Sequence, residues 1–427
     1  MLWLYRFFFV PALLIIAPRY LWRMRRRGGY RANFSHRFGG HPLLPATKPA
    51  RRRVWFQAVS VGEMLAIGPI LEALKRDGVE VYLTTTTSTG HRLARDRYAP
   101  LTLGIGYFPI DWWPFSVRAW RRINPDLIVL TEGERWPEHL HQAARRGVPA
   151  LCINARLSDR SFTRLRQHRP AANLLLAGVT RYLPASAIDA SRFSELGVPP
   201  ERIGPAGNIK LDVLIPSLGS AEQAQLRQEL GLPVGPVLLG SSTWPGEEVA
   251  LVAALQHARQ RGLPCSLLIV PRHAERRNEI QRLLADTGEH FHFRSRGAAT
   301  GEVAVAVADT TGELRRLTQI ADLVFVGKSL APHTEGQTPV EAAALGKPIL
   351  LGPGMSNFRA IASDLVAQGA ARAVADPPAL AAAVEELLRD PDQRELLARA
   401  AAAWHRANTG AIERTLTSIR SEIARLG

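Results

Sequence analysis

The chain has 427 residues, 46% of them apolar and 22% charged, a composition that builds large buried cores and excludes a disordered or low-complexity protein. That length exceeds one ordinary domain and fits two of about 200 residues each. A net charge of +16 leaves nucleic acid, anionic membrane and anionic small substrates as candidate partners, while two cysteines, both in apolar runs, exclude a disulfide framework.

The charge is unevenly spread. From Met1 to Gly62 there is no Asp or Glu, whereas Arg6, Arg19, Arg23, Arg25, Arg26, Arg27, Arg31, Arg37, Lys48, Arg51, Arg52 and Arg53 recur. Between Arg6 and Arg19 lies the apolar run Phe7–Ala17, shorter than the roughly 20 residues that span a bilayer. The basic cluster follows this run, where a secretory signal would carry its charge in front. Residues 1–27 therefore read as an interfacial anchor, with Trp3, Tyr5, Tyr20 and Trp22 at headgroup level and the arginines on anionic lipid. Flanking positive charge favours the cytoplasmic side of the membrane. The competing reading is a helix docked on a domain. Outside this segment no aromatics interleave with the basic residues, which speaks against a nucleic-acid partner.

Gly28–Pro49 reads as a connector rich in Gly and Pro. Val54–Val59 is an apolar strand, the turn Ser60-Val61-Gly62 follows, and Glu63–Lys75 has helical spacing of apolar residues, with Gly68-Pro69 set to kink or split it. Strand and helix then alternate. Val79–Thr84, Ile105–Ile110, Leu127–Leu130 and Ala150–Ile153 read as strands, with short strands near Leu174–Gly178 and Tyr182–Leu183 before a helix over Ala187–Leu196. The Gly- and Pro-rich stretch Arg202–Ser217 marks a boundary. After it the pattern restarts with strands at Val237–Leu239, Ser266–Val270, Val303–Val307, Leu323–Val326 and Ile349–Leu351, and Ala-rich helices run from Pro378 to Leu426. The fold class expected is α/β: two Rossmann-like domains with parallel sheets facing a cleft. The divisions are 1–27 for the anchor, 28–207 for an acceptor-binding domain and 208–427 for a nucleotide-binding domain.

Strand ends differ between the halves. In the first they carry Glu63, Glu132, Glu134 and Asp111. In the second they carry Gly, Ser and Thr with single cations: Gly240-Ser241-Ser242-Thr243 before a helix, Arg272 after Pro271, and Glu341 in a first helical turn. Such a rim suits phosphate and ribose. There is no GxxxxGK[ST], no GxGxxG after a strand and no metal-ligand spacing. An acidic half and a nucleotide half suit transfer from an activated donor to a hydroxyl, one carboxylate acting as general base and cations stabilising the leaving phosphate. Lys210, in the hinge segment, could reach the reacting centre.

At these residues the chain resembles the Kdo transferases, GT-B glycosyltransferases that add 3-deoxy-D-manno-octulosonic acid (Kdo) to the lipid A precursor. The likeness runs through Ala58–Glu63, Thr131–Pro137, Asn154–Ser158, Gly207–Asp212, Gly246–Glu248, Val270–His273, Asp309–Leu314, Ala321–Gly327 and Pro339–Ala343. The resemblance implies that Glu63 is the base, that Glu132 and Lys210 support the transition state, and that Pro271, Arg272, Thr311, Gly312, Glu313, Thr338, Pro339, Val340 and Glu341 hold the CMP of CMP-Kdo. It implies an inverting, metal-independent transfer with no cofactor. The alternative is another GT-B enzyme with a different nucleotide sugar and a membrane-lipid acceptor. The chain departs from the family pattern at His36, where a Glu is usual before Arg37, at Lys328 within Gly327-Lys328-Ser329, and at Glu335-Gly336-Gln337-Thr338. A Glu63→Gln change is expected to leave folding intact.

Overall fold

The computed structural model describes residues 1–27, 33–45, 51–213 and 215–426. Parts of the basic connector, residues 28–32 and 46–49, lie outside them, as do the side chains of Tyr20, Arg23 and Arg25–Arg27. The chain forms two units, Met1–Asp212 with Asn408–Gly427, and Val213–Ala407.

The first unit is built on six strands: β1 (Arg53–Gln57), β2 (Glu80–Thr85), β3 (Gly104–Tyr107), β4 (Leu127–Thr131), β5 (Ala150–Ala155) and β6 (Arg181–Pro184). They pair in parallel in the order β3-β2-β1-β4-β5-β6, the doubly wound Rossmann order. Every residue of β1 and β4 is buried, because helices cover both faces and leave no solvated side to alternate with. On one face Val54 and Phe56 pack with Met64, Ile70 and Leu74. On the other Trp55 packs with Phe108 and Trp120, its indole N–H donating to Thr84 Oγ1 at 2.9 Å. Truncating a fully buried ring of this kind typically costs about 3–5 kcal/mol. Gly68-Pro69 does split the first helix, into Val61–Ala66 and Gly68–Arg76, with Ile67 between them.

The second unit has β7 (Val237–Thr243), β8 (Ser266–Pro271), β9 (Phe291–Phe293), β10 (Val305–Val307), β11 (Leu323–Val326), β12 (Ile349–Leu351) and β13 (Arg372–Ala373). These too are parallel, in the order β13-β12-β11-β7-β8-β10-β9. The core of this unit gathers Leu238, Leu251, Leu267, Val305 and Phe325 with Val384 and Leu387 of the helix Pro377–Arg389.

Two expectations differ from the structure. The apolar run at Leu174–Gly178 is no strand: Arg169–Leu176 is a helix opened by Pro170, and a run of three leucines carries no period that separates the two states. The last helix, Ala411–Ala424, belongs to the first unit, although the sequence division places it with the second. Ala411, Leu416 and Ile419 enter the first unit's core, Arg420 pairs with Asp77 at 2.8 Å, and Asp212 Oδ2 accepts from Ile412 N at 2.5 Å. Residues 208–212 likewise go with the first unit.

Candidate active site

In the first sheet the chain reverses its direction of winding between β1 and β4, the switch point at whose carboxyl ends open α/β sheets generally form their crevices. Glu63 stands there, 8% exposed. Ser60 is the N-cap of the helix Val61–Ala66, and it forms a reciprocal capping box with Glu63. Glu63 Oε1 accepts from Ser60 Oγ at 2.8 Å and Ser60 N at 3.3 Å; Oε2 accepts from Val59 N at 3.0 Å and Thr131 Oγ1 at 2.5 Å. Four donors thus meet one carboxylate, so Glu63 is a helix cap as well as a crevice carboxylate. This corrects the expectation for Glu63→Gln. A carboxamide would turn an NH2 toward donors, and each buried donor left unpaired costs about 1–3 kcal/mol.

Glu132 follows directly, at φ 50°, a left-handed conformation rare for a residue with a side chain. Lys210 Nζ lies 2.5 Å from Glu132 Oε1, and Asn154 Nδ2 donates to the same oxygen at 3.3 Å. Asn154 Oδ1 accepts from Ile209 N, and Asn208 Oδ1 accepts from Lys210 N, which fixes the segment carrying the lysine. Glu134 accepts from Trp136 Nε1 at 2.9 Å and from Gln57 Nε2 at 3.3 Å. Burial raises its pKa, and the charge of Glu63 adds to the rise. The structure therefore brings Glu63, Glu132 and Lys210 to one sheet edge. Asp111 is engaged elsewhere, capping the helix Pro137–Arg145 through Glu138 N and His139 N. The hydroxyl of Thr131 and the amide of Asn154 were within the resemblance blocks, yet no spacing in the sequence marks them as partners of Glu63 and Glu132.

The carboxyl edge of the second sheet carries the predicted nucleotide residues. Pro271 ends β8 and is buried, while Arg272 is exposed, its guanidinium without a hydrogen bond or ion pair among the described residues. Thr311 and Gly312 are exposed after β10, Gly312 at φ 86°. Glu313 holds Arg294 through two hydrogen bonds of 2.8 Å, and these keep its carboxyl below the usual range. Thr338 Oγ1 accepts from Val340 N at 3.2 Å, with Pro339 and Val340 buried beneath. Glu341 lies 3.5 Å from Arg315 through Oε1, and its buried Oε2 has no partner.

Beside the expected anion site at Gly240–Thr243 the chain supplies carboxylates of its own. Buried Glu247 accepts from Trp244 N and Lys328 N through Oε2, at 2.9 and 2.7 Å, and from Ser329 N and Leu330 N through Oε1, at 2.8 and 3.2 Å. Thr243 Oγ1 donates to Glu248 at 2.7 Å. The hydroxyl of Thr243 is thus engaged by the chain's own carboxylate, and beside it the backbone donors of Trp244 and residues 328–330 are turned inward to Glu247. Two of the family departures meet here: Lys328 Nζ is 3.2 Å from Glu335 and lies over the Trp244 ring at 4.1 Å. Among the described residues no three His, Cys, Asp or Glu side chains gather as a metal site.

Comparison with known proteins places these features in context. Residues 32–213 match the family model described as 3-deoxy-D-manno-octulosonic-acid transferase, and residues 277–404 match glycosyl transferases group 1. The chain is similar to the 3-deoxy-D-manno-octulosonic acid transferase of Bordetella pertussis, 33% identical, with 96% of this chain and 97% of the relative covered. The Haemophilus influenzae transferase is 29% identical, with 98% and 95% covered. Among solved structures, UDP-GlcNAc 2-epimerase from Neisseria meningitidis gives a TM-score of 0.57 at 13% identity, covering 87% of this chain and all of that one (100%). Anabaena HepE in complex with UDP and glucose gives 0.53 at 17% identity, covering 88% and 100%. These two share the fold of paired Rossmann-like domains.

Proposed function

The chain belongs to the 3-deoxy-D-manno-octulosonic acid transferase family of glycosyltransferases, and we propose that it transfers Kdo from CMP-Kdo to a hydroxyl of the lipid A precursor, lipid IVA, with inversion and without a metal. The observation that carries the reading is the cluster of Glu63, Glu132 and Lys210 at the switch point of the first sheet.

Glu63 takes the proton of the acceptor hydroxyl as its oxygen attacks the anomeric carbon of Kdo. The bond from that carbon to the CMP phosphate oxygen breaks, and CMP leaves with the electron pair. All four acceptor positions of Glu63 are filled in this structure, so the incoming hydroxyl replaces a rotatable donor, Ser60 Oγ or Thr131 Oγ1. Lys210 and Glu132 form a preset ion pair beside the developing charge. In the second unit Arg272 pairs with the phosphate, Glu341 Oε2 accepts from ribose, and Thr311, Gly312, Glu313, Thr338, Pro339 and Val340 complete the CMP site. The apolar helix Leu2–Arg27 holds the enzyme at the cytoplasmic face of the inner membrane, where its lipid acceptor lies.

The test is incubation of the purified protein with lipid IVA and CMP-Kdo, followed by mass spectrometry of the lipid. Addition of Kdo is the expected result. Turnover of a UDP-sugar in its place would assign a different donor.

A further inference from the structure

The helix Leu2–Arg27 contains an 18-residue window, Leu2–Arg19, long and apolar enough to cross a bilayer. Its first turns are nevertheless fastened to the first unit. Tyr5 donates its hydroxyl to Asp111 Oδ2 at 2.6 Å, and Arg6 grips Glu138 through two hydrogen bonds of 2.8 and 3.0 Å. The Glu138 side chain is fully buried (0% exposed), so removing Arg6 would leave a buried charge without its cation. The far end of the helix leads along the chain into this same unit. A helix whose first turns are hydrogen-bonded to a body that the chain re-enters after its last turn cannot put one end across a membrane without breaking those bonds.

Three further observations agree. The stretch between Arg6 and Arg19 rises only about 18 Å as a helix, against a hydrocarbon core of about 30 Å. Pro11 and Pro18 lie inside the helix and leave the carbonyls of Phe7 and Leu14 without helical donors, which water at an interface satisfies and hydrocarbon does not. The burial is one-sided: Leu2, Tyr5, Phe9, Val10 and Leu13 are half-buried, while Trp3, Phe7, Phe8, Leu14, Ile15 and Ile16 are 60–80% exposed.

We propose that this helix lies in the plane of the membrane interface, strapped to the first unit by Tyr5–Asp111 and Arg6–Glu138, with its outer apolar face in an anionic lipid monolayer. The occupant follows from charge: no acidic residue precedes Glu63, and Arg19, Arg23, Arg25, Arg26 and Arg27 follow the apolar run. The proposal rests on the membrane reading above and specifies its geometry.

The test uses the full-length protein in right-side-out and inverted inner-membrane vesicles, with a membrane-impermeant maleimide. Leu2→Cys reports the start of the helix, and Ser161→Cys, at an exposed position, reports the domain side. The native Cys152 and Cys265 are buried, with thiols pushed up to about 11 by burial, and stay unlabelled. Labelling of both positions in the same vesicle orientation is expected. Labelling in opposite orientations would overturn the in-plane helix while leaving membrane attachment intact. Absence of the protein from the membrane fraction would overturn the lipid assignment itself.

Discussion

Glu63 joins two demands in one side chain: it closes the capping box of the helix after β1, and it is the carboxylate proposed to deprotonate the acceptor. Replacing it with Gln or Ala should therefore lower both stability and turnover. The expected turnover loss is at least ~10²-fold after correction for folded fraction, the usual scale for a general base. Chemical denaturation should show a loss of about 1–3 kcal/mol for each buried donor left unpaired. Lys210→Met and Glu132→Gln should each lower kcat, and the double variant should fall less than the sum of the two if the ion pair acts as a unit. Additive losses in that cycle would separate their roles. Glu63 was legible as a first-turn carboxylate after a strand. Its partner Thr131 was not, because 68 residues separate them and only the adjacency of β1 and β4 brings them together.

Among the elements, the turns after β7 and β11 are tied together by one buried carboxylate. Gly, Ser and Thr at the end of β7 suggest an anion cradle, and just beyond them Glu247 ties Trp244 to residues 328–330. Glu247→Ala should destabilise the second unit by several kcal/mol and lower its melting temperature, since it strands four backbone donors, each worth about 1–3 kcal/mol. In the first unit, buried histidines set a pH response. Burial lowers His36 to about 4 and His139 to about 3. Both lie below the unfolded value of about 6.5, so their contribution is present above that pH and is lost as pH falls through about 4 and 3. Asp111 acts in the opposite sense: burial raises it to about 6, and its contribution is full below about 3.9 and lost as pH rises through 6. Melting temperatures measured from pH 7 to 4 should therefore fall less steeply in His36→Asn than in the native chain. An unchanged slope would remove His36 from the acid response.

For the whole molecule, the alternation of strand and helix was enough to read two parallel-sheet units, because the apolar runs of β1, β4, β7 and β11 are buried on both faces and stand out as continuous. The return of Ala411–Ala424 to the first unit was not readable, since an amphipathic helix does not name the core it will enter. The N-terminal helix is a similar case: its apolar face is plain in the sequence, but its anchorage to Asp111 and Glu138 needs the fold. Deleting Met1–Arg27 should release the protein from membranes and leave CMP binding in the second unit unchanged, while lowering the stability of the first unit by the unpaired Glu138 charge. Vesicle sedimentation, CMP titration and thermal melting read the three effects separately. The most direct measurement is mass spectrometry of lipid IVA after incubation with CMP-Kdo and either the native protein or Glu63→Ala at equal folded concentration. Kdo addition by the native protein, slowed at least ~10²-fold in the variant, is the predicted result; near-native turnover by Glu63→Ala would contradict the role given to that carboxylate.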